Sequence, residues 1–242
     1  MWMTRTIDVI SMLASGPIGF DEMLQIQKER EAAVKAGGRG ALFLLEHRDV
    51  ITAGRNASID DLRVSLGHLE KLGVDFVQAD RGGKLTFHGP GQLVAYPVMN
   101  LSPGMCDIGR YVRSLEEAII LTLSDFGIMA GRSPVKERWS SVWLRNDKIA
   151  AIGIHLSRWV TTHGMALNVD SSLARFSLFV PCGITDGGVT SMKQVLGPET
   201  PSIFDVANTF ASRFCDVFSL EGRSVTLEES RINREAGNAE AI

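Results

Sequence analysis

The chain has 242 residues, of which 45% are hydrophobic, 22% charged and 7% aromatic, which excludes disordered and collagen-like classes. Its 25 Lys+Arg against 28 Asp+Glu leave a net charge of −3, without the basic excess of a protein that grips nucleic acid through phosphates. No repeat or Gly/Ser/Pro-rich linker divides the chain, so one catalytic-size domain over residues 1–220 is expected, followed by a polar, flexible tail over residues 221–242. Cys106, Cys182 and Cys215 are odd in number and widely spaced with no C-x-x-C pair. That pattern argues against a disulfide framework and a cysteine-ligated zinc, and points to a reducing, cytoplasmic setting. The apolar stretch 7–13 is broken by Asp8, and no run approaches the roughly eighteen apolar residues of a membrane span, so neither a signal peptide nor a membrane segment is expected.

In chain order, Phe20, Met23, Leu24, Ile26, Gln27 and residues 32–34 recur at mostly helical spacing, with Asp21 and Glu22 in the first turn and Gly37-Gly38 as a stop. Residues 41–46 read as a short buried strand. The clearest helix runs from about 107 to 126, with Ile108, Tyr111, Val112, Leu115, Ala118, Ile119 and Thr122 on one face and Gly127 ending it. Residues 148–155 and 159–169 read as a β-hairpin. With Ser157-Arg158 as its two-residue turn, Ala151 faces Gly164, Gly153 faces Thr162 and Lys148 faces Leu167. Small residues then cluster across the pair, either opening the backbone to a ligand or relieving a bulge. A last helix spans about 203–218, N-capped by Ser202. Helices and strands interleave without a regular βαβ period, so the fold class is α/β (α+β), a mixed β-sheet packed by helices and not a Rossmann fold.

The run Arg81-Gly-Gly-Lys-Leu-Thr-Phe-His-Gly-Pro-Gly-Gln92 holds four glycines, an arginine and a histidine in twelve residues. It is neither a P-loop nor a G-x-G-x-x-G turn, and a plain hairpin would leave Arg81 and His88 unexplained, which favours a binding or catalytic loop. Cys182 stands in a Pro-Cys-Gly turn, whereas Cys215 belongs to the apolar stripe Phe210, Phe214, Val217, Phe218 and reads as a packing residue. A cysteine nucleophile needs a nearby base or cation, for which Lys148, His88, His155 and His163 are available. The five histidines match no zinc spacing, and no G-x-S-x-G elbow supports serine hydrolysis, so no metal is expected.

These segments together, Arg81-Gly-Gly-x-x-Thr-x-His-Gly-Pro-Gly-Gln-Leu-Val-x-Tyr-Pro97, Lys148-Ile-Ala-Ala-Ile-Gly-Ile, His163-Gly-x-Ala-Leu-Asn168 and Pro181-Cys-Gly-Ile184, resemble the lipoyl(octanoyl) transferases. The likeness is ordered and extends from Glu46-His47 and Thr52-Ala-Gly-Arg55 to about Met192. It implies a lipoate/biotin protein ligase-like catalytic domain. Such an enzyme moves an octanoyl (or lipoyl) group from octanoyl-acyl carrier protein to a specific lysine of the lipoyl domains of 2-oxoacid dehydrogenases and of the glycine cleavage H protein, with no cofactor. By the same resemblance Cys182 is the acyl-thioester nucleophile and Lys148 its assistant. The implied substrate contacts are Arg81, Gly82, Gly83, Lys84, Leu85, Thr86, Phe87 and His88 in the first run, Ala151, Ile152 and Gly153 after the lysine, and Gly164, Met165 and Ala166 after His163.

Three departures from the resembled pattern stand out. Ser141-Val-Trp143 replaces the commoner Gly-Val-Trp, while Phe87 and Phe20 each stand near a usual Tyr and so lack a hydroxyl. Arg55, Lys84, Arg145 and Arg158, on loops near the motifs, are candidates for a local basic surface toward acidic protein partners. Two rival readings are an ATP-using lipoate or biotin ligase of the same fold, which needs no nucleophilic cysteine, and a silent module that only binds acylated carrier or lipoyl domains.

Overall fold

The computed structural model describes residues 5–102, 104–133, 140–180 and 187–231. Its strands are β1 (Arg5–Ser11), β2 (Ala41–Leu45), β3 (Val50–Ala53), β4 (Asp75–Gln78), β5 (Leu85–His88), β6 (Gln92–Val98), β7 (Gly131–Arg132), β8 (Ser141–Leu144), β9 (Asp147–Ser157), β10 (Val160–Asn168), β11 (Gly188–Val189) and β12 (Leu220–Ser224). The helices are α1 (Phe20–Lys35), α2 (Leu66–Lys71), α3 (Ile108–Asp125), α4 (Met192–Leu196) and α5 (Ile203–Phe218). Local chemistry sets their limits. Asp107 caps α3 through the Arg110 amide at 2.9 Å, Ser202 caps α5 through the Asp205 amide at 3.1 Å, and Gly127 follows α3 at φ 76°.

Among the described residues the main sheet runs β12-β1-β2-β6-β10-β9-β8-β7, with β11 alongside β9, and a smaller sheet runs β4-β3-β5. The pairs β12·β1, β1·β2 and β11·β9 are parallel and the others in the main sheet antiparallel, which makes it the mixed sheet expected. One face buries Leu42, Leu93, Met165 and Leu167 against the apolar stripes of α3 and α5. The other face buries Phe43, Val94, Tyr96 and Ala166 against Met23, Ile26 and Val34 of α1. Phe20 links α1 to Val50 of the small sheet, whose own core holds Ile51, Phe87, Phe176 and Phe179.

The central hairpin differs from the expected register. Ser157 pairs with Val160, so the turn is Arg158-Trp159, with φ of 50° and 62°. Positive φ at both central residues is type I′ geometry, which follows the right-handed twist of the strands and is tolerated here without Asn or Gly. Every facing pair shifts: Gly153 lies opposite Gly164, Ala151 opposite Ala166, and Ala150 opposite Leu167. The shift buries Val160 at the turn and brings two glycines together at the strand centre.

A second irregularity aims Lys148. Val142 faces Ala150 and Trp143 faces Lys148, so Ile149 is an extra residue on β9. This bulge lets Ile149 and Ala150 both enter the α3-side core and turns Lys148 to the face that carries Ala151 and Gly153.

The packed body also continues past residue 220. β12 straddles the expected boundary, Val225 and Leu227 pack under the α1-side core, and Ser230 is fully buried with its carbonyl accepting from Arg30 at 3.3 Å. Polar side chains on an edge strand disguise it as a tail. Buried Asp8 ties this region together, accepting from Arg30, Arg39 and Arg223 at 3.5, 3.4 and 3.1 Å.

Candidate active site

The loop after β4 and the centre of the β9–β10 hairpin enclose a cavity of about 440 Å³, within the ordinary size range of small-molecule sites. Its wall includes residues 81–86, His88, Lys148, residues 151–153 and residues 164–166. The sequence-predicted contacts and the predicted lysine thus meet at one place, with one exception. Phe87 is 1% exposed and turns into the small-sheet core, its ring 5.7 Å from Phe176, because alternation along β5 sends it away from His88. Cys182, with residues 181–186, lies outside the described residues.

Arg81 acts chiefly as a clamp. Its guanidinium donates to Thr52 Oγ1 at 2.7 Å, to the Thr52 carbonyl at 2.6 Å and to the Gly82 carbonyl at 2.9 Å. The Gly82 amide donates to the Ile154 carbonyl at 2.9 Å, which seats the loop on the edge of β9. Gly153 makes that approach possible, since a Cβ there would stand 3.0 Å from Arg81 Cδ. Gly164 is equally constrained, because a Cβ would meet the Ala95 carbonyl oxygen and stand 2.7 Å from Pro97 Cδ.

Three imidazoles surround Phe20 beneath this loop. The His88 proton can be placed from its neighbours. Asn168 Nδ2 donates to the Thr190 carbonyl at 3.0 Å, so its Oδ1 accepts from Gln92 Nε2 at 2.9 Å, leaving Gln92 Oε1 to accept from His88 Nδ1–H at 2.7 Å. His88 Nε2 therefore carries the lone pair. Burial, then the nearby His47 and Arg81, hold the His88 pKa well below 6.5, so the ring is neutral at physiological pH. His47 donates Nδ1–H to the Ile18 carbonyl at 3.0 Å and accepts from Tyr96 Oη–H at 2.9 Å, and burial lowers its pKa to about 4. His163 Nε2–H donates to Asp80 Oδ1 at 2.7 Å, and this bond leads the causes that lower the Asp80 pKa to about 2. His163 itself adopts φ 57° inside a strand, a conformation uncommon for any residue but glycine.

Sequence reasoning missed the residues that hold the others. Thr52 anchors Arg81, Asp80 orients His163, Gln92 and Asn168 fix His88, and Ile108, Val112 and Trp143 supply apolar wall. Thr52, Gln92 and Asn168 stand inside the quoted motifs and Asp80 adjoins the Arg-Gly-Gly run, but none of the four was assigned a role. Of the proposed basic surface residues, Arg55 donates to His155 Nδ1 at 2.6 Å and Lys84 lies 4.0 Å from Asp61, while Arg145 and Arg158 are exposed at positive-φ turn positions.

The geometry agrees with comparisons across known proteins. The lipoyl protein ligase A/B catalytic domain matches residues 21–215. An octanoyltransferase of Solibacter usitatus is 47% identical over 207 residues, covering 85% of this chain and 91% of the relative. The chain belongs to the octanoyltransferases of this catalytic-domain family. Another octanoyltransferase, of Chloroflexus aurantiacus, is 45% identical over 86% of this chain and 93% of its own length. As a member of this family the chain is an acyltransferase. Among solved structures, a lipoic acid-bound putative lipoate protein ligase from T. acidophilum shares the fold with a TM-score of 0.73 at 18% identity, covering 98% of this chain and 96% of that one. The lipoate/biotin ligase-like fold read from the sequence is thus the fold of this family. Among the described residues no helix is long and apolar enough to cross a membrane.

Proposed function

We propose that this chain transfers an octanoyl (or lipoyl) group from acyl carrier protein to one lysine of a lipoyl domain through a thioester on Cys182, the first step of protein lipoylation. The observation that carries this reading is the convergence of Lys148 with residues 81–84, Ala151, Gly153, Gly164 and Ala166 on one cavity, in a chain whose curated relatives are octanoyltransferases. The position of Lys148 supports its pairing with Cys182. Val189, seven residues beyond the cysteine, faces Lys148 in the parallel β11·β9 pair.

In the first half-reaction Cys182 gives its proton to Lys148 and the thiolate attacks the carrier thioester carbonyl; a carbon–sulfur bond to the enzyme forms, the one to the carrier breaks, and the carrier sulfur takes the proton from the Lys148 ammonium and leaves as a thiol. In the second, the acceptor lysine amine attacks the enzyme thioester; a carbon–nitrogen bond forms, the carbon–sulfur bond to the enzyme breaks, and Cys182 leaves as a thiol with the proton that Lys148 has taken from the amine. Lys148 as an ammonium favours the thiolate, and as an amine it takes the proton of the attacking lysine. Backbone N–H groups of the Arg81-Gly-Gly loop other than the Gly82 amide, which is bonded to the Ile154 carbonyl, are suited to the tetrahedral oxyanion. The acceptors are the lipoyl domains of 2-oxoacid dehydrogenases and the glycine cleavage H protein, and the reaction is cytoplasmic. Arg145 and Arg158, both exposed, offer cationic sites to these acidic partners.

The test is transfer from octanoyl carrier to a lipoyl domain without ATP, read by the intact mass of the acceptor. Octanoylation of one lysine supports the reading. Transfer only from free octanoate with ATP would make the chain a ligase, and no transfer under either condition would leave a binding module.

A further inference from the structure

Met165 and Leu167 of β10 pack on the α3 side of the sheet, and Val160 and Ala166 on the α1 side, as alternation along a strand requires. His163 breaks the alternation. Two residues before Met165, it belongs on the α3 side, yet its ring centroid lies 6.1 Å from that of Phe20 in α1 and 5.9 Å from that of Tyr96 in the α1-side core. This turn to the opposite face coincides with the left-handed φ of 57°.

The neighbouring strand accounts for the break. Thr161 N–H donates to the Met99 carbonyl at 3.0 Å and Val169 N–H to the Gly91 carbonyl at 3.1 Å, two ends of one antiparallel register in which every second pair is bonded. That register sets His163 at a bonded position opposite Pro97, which has no N–H to give. The two groups that would otherwise bond across this rung go to side chains. The Pro97 carbonyl accepts from Thr161 Oγ1 at 2.7 Å, and the His163 amide donates to Gln27 Oε1 at 2.7 Å. Gln27 belongs to α1, is fully buried, and its Nε2 has no hydrogen-bond partner among the described residues. An apolar side chain would fill the same place without burying an unpaired amide nitrogen, so the bond to His163 is what the glutamine supplies.

The turned ring meets Asp80, the residue before Arg81, while Ile154, opposite His163 on β9, accepts from the Gly82 amide at 2.9 Å. Both ends of this short stretch of loop therefore rest on one pair of facing residues. We propose that Gln27, although no residue of α1 lines the cavity, is a positioning residue for acyl transfer: it holds His163 turned toward Asp80 and thereby seats the Arg81-Gly-Gly loop. The proposal rests on the acyl-transfer reading above and extends its machinery to α1.

The measurement pairs the Asp80 carboxyl titration, followed by NMR in the full chain, with kcat/KM for transfer from octanoyl carrier to a lipoyl domain. Gln27→Met, which fills the space without an acceptor, should raise the Asp80 pKa from about 2 toward 3.8 and lower kcat/KM by about tenfold, the scale of one buried hydrogen bond. Gln27→Glu, which keeps the accepting oxygen, should restore both values. Gln27→Asn is one methylene too short to reach the His163 amide; it should behave as Gln27→Met does, and serves if that variant fails to fold. An unmoved Asp80 titration in the Met or Asn variant would overturn the proposal whatever the activity, because a loss of packing alone leaves the bond between His163 and Asp80 in place. A shifted Asp80 with wild-type kcat/KM would overturn the link from the loop to catalysis. Wild-type protein that transfers no octanoyl group would overturn the acyl-transfer reading itself, while the Asp80 shift still decides whether Gln27 seats the loop.

Discussion

His163 Nε2 lies 2.7 Å from Asp80 Oδ1, and this bond joins the left-handed residue of β10 to the acid that precedes the Arg-Gly-Gly loop. It fixes the ring with Nε2 protonated, while buried Nδ1 has no hydrogen-bond partner among the described residues. Replacing His163 by Phe should return the Asp80 carboxyl from about 2 toward its ordinary 3.8, as followed by carboxyl NMR. Because the folded-state value is depressed, the bond contributes stability above pH 3.8 that is lost as pH falls through about 2. An unmoved Asp80 titration in His163→Phe would remove His163 as its main partner.

His47 and His88 give the protein a second acid sensitivity at milder pH. Both are neutral when folded and take up protons more readily when unfolded, so the stability they contribute is complete above about pH 6.5 and declines as pH falls toward 4. The fall of the His47 value from 6.5 to about 4 corresponds to about 3 kcal/mol. His47→Gln, which keeps a donor and an acceptor, should flatten urea midpoints measured between pH 6.5 and 4.5. A wild-type slope in that variant would show that His47 does not carry the effect.

The two glycines at the hairpin centre are packing requirements. Gly164→Ala drives a Cβ into the backbone of β6 and should destabilise by about 1–3 kcal/mol or more. Gly67→Ala, on α2 with open space around it, should instead stabilise by a few tenths to about 1 kcal/mol. Chemical denaturation of the pair compares them directly, and equal midpoints would contradict the close approach of β10 to β6.

Residues beyond 220 support the fold. Deleting residues 221–242 removes most of β12 and the Arg223 contact to Asp8, and should lower the thermal midpoint by several degrees. Asp8→Ala, which leaves the buried Arg30 guanidinium without its carboxylate, should cost about 3 kcal/mol. A truncated chain as stable as the full one would restore the flexible-tail reading.

Much of this architecture was readable from local pattern. α1, α3 and α5 announce themselves through helical spacing, caps and stop glycines, and β2 through an unbroken apolar run, because those signals lie within one element. The small sheet was not legible, since β3, β4 and β5 have only four residues each and β4 is half exposed. The hairpin register failed by two residues because Arg158-Trp159 lacks the Asn or Gly that marks a type I′ turn. In the site, glycine density and the Lys-Ile-Ala-Ala segment marked the groups that face the cavity. Thr52, Gln92 and Asn168 stand in the quoted motifs, but their roles were not legible because they depend on strands brought together from distant parts of the chain. Ile108 and Val112 read as part of a normal amphipathic stripe, and only the cavity separates them from it.

The central claim is that Cys182 carries the acyl group with Lys148 beside it. Peptide mapping after exposure to octanoyl carrier tests this most directly. The account predicts a hydroxylamine-labile octanoyl adduct on Cys182, absent from Cys106 and Cys215 and lost in Cys182→Ala. Lys148→Ala should slow acylation and move the pH midpoint of Cys182 alkylation upward, whereas Lys148→Arg, which keeps the charge but cannot shuttle the proton, should load octanoate and transfer it poorly. An undiminished adduct in Cys182→Ala would contradict the account.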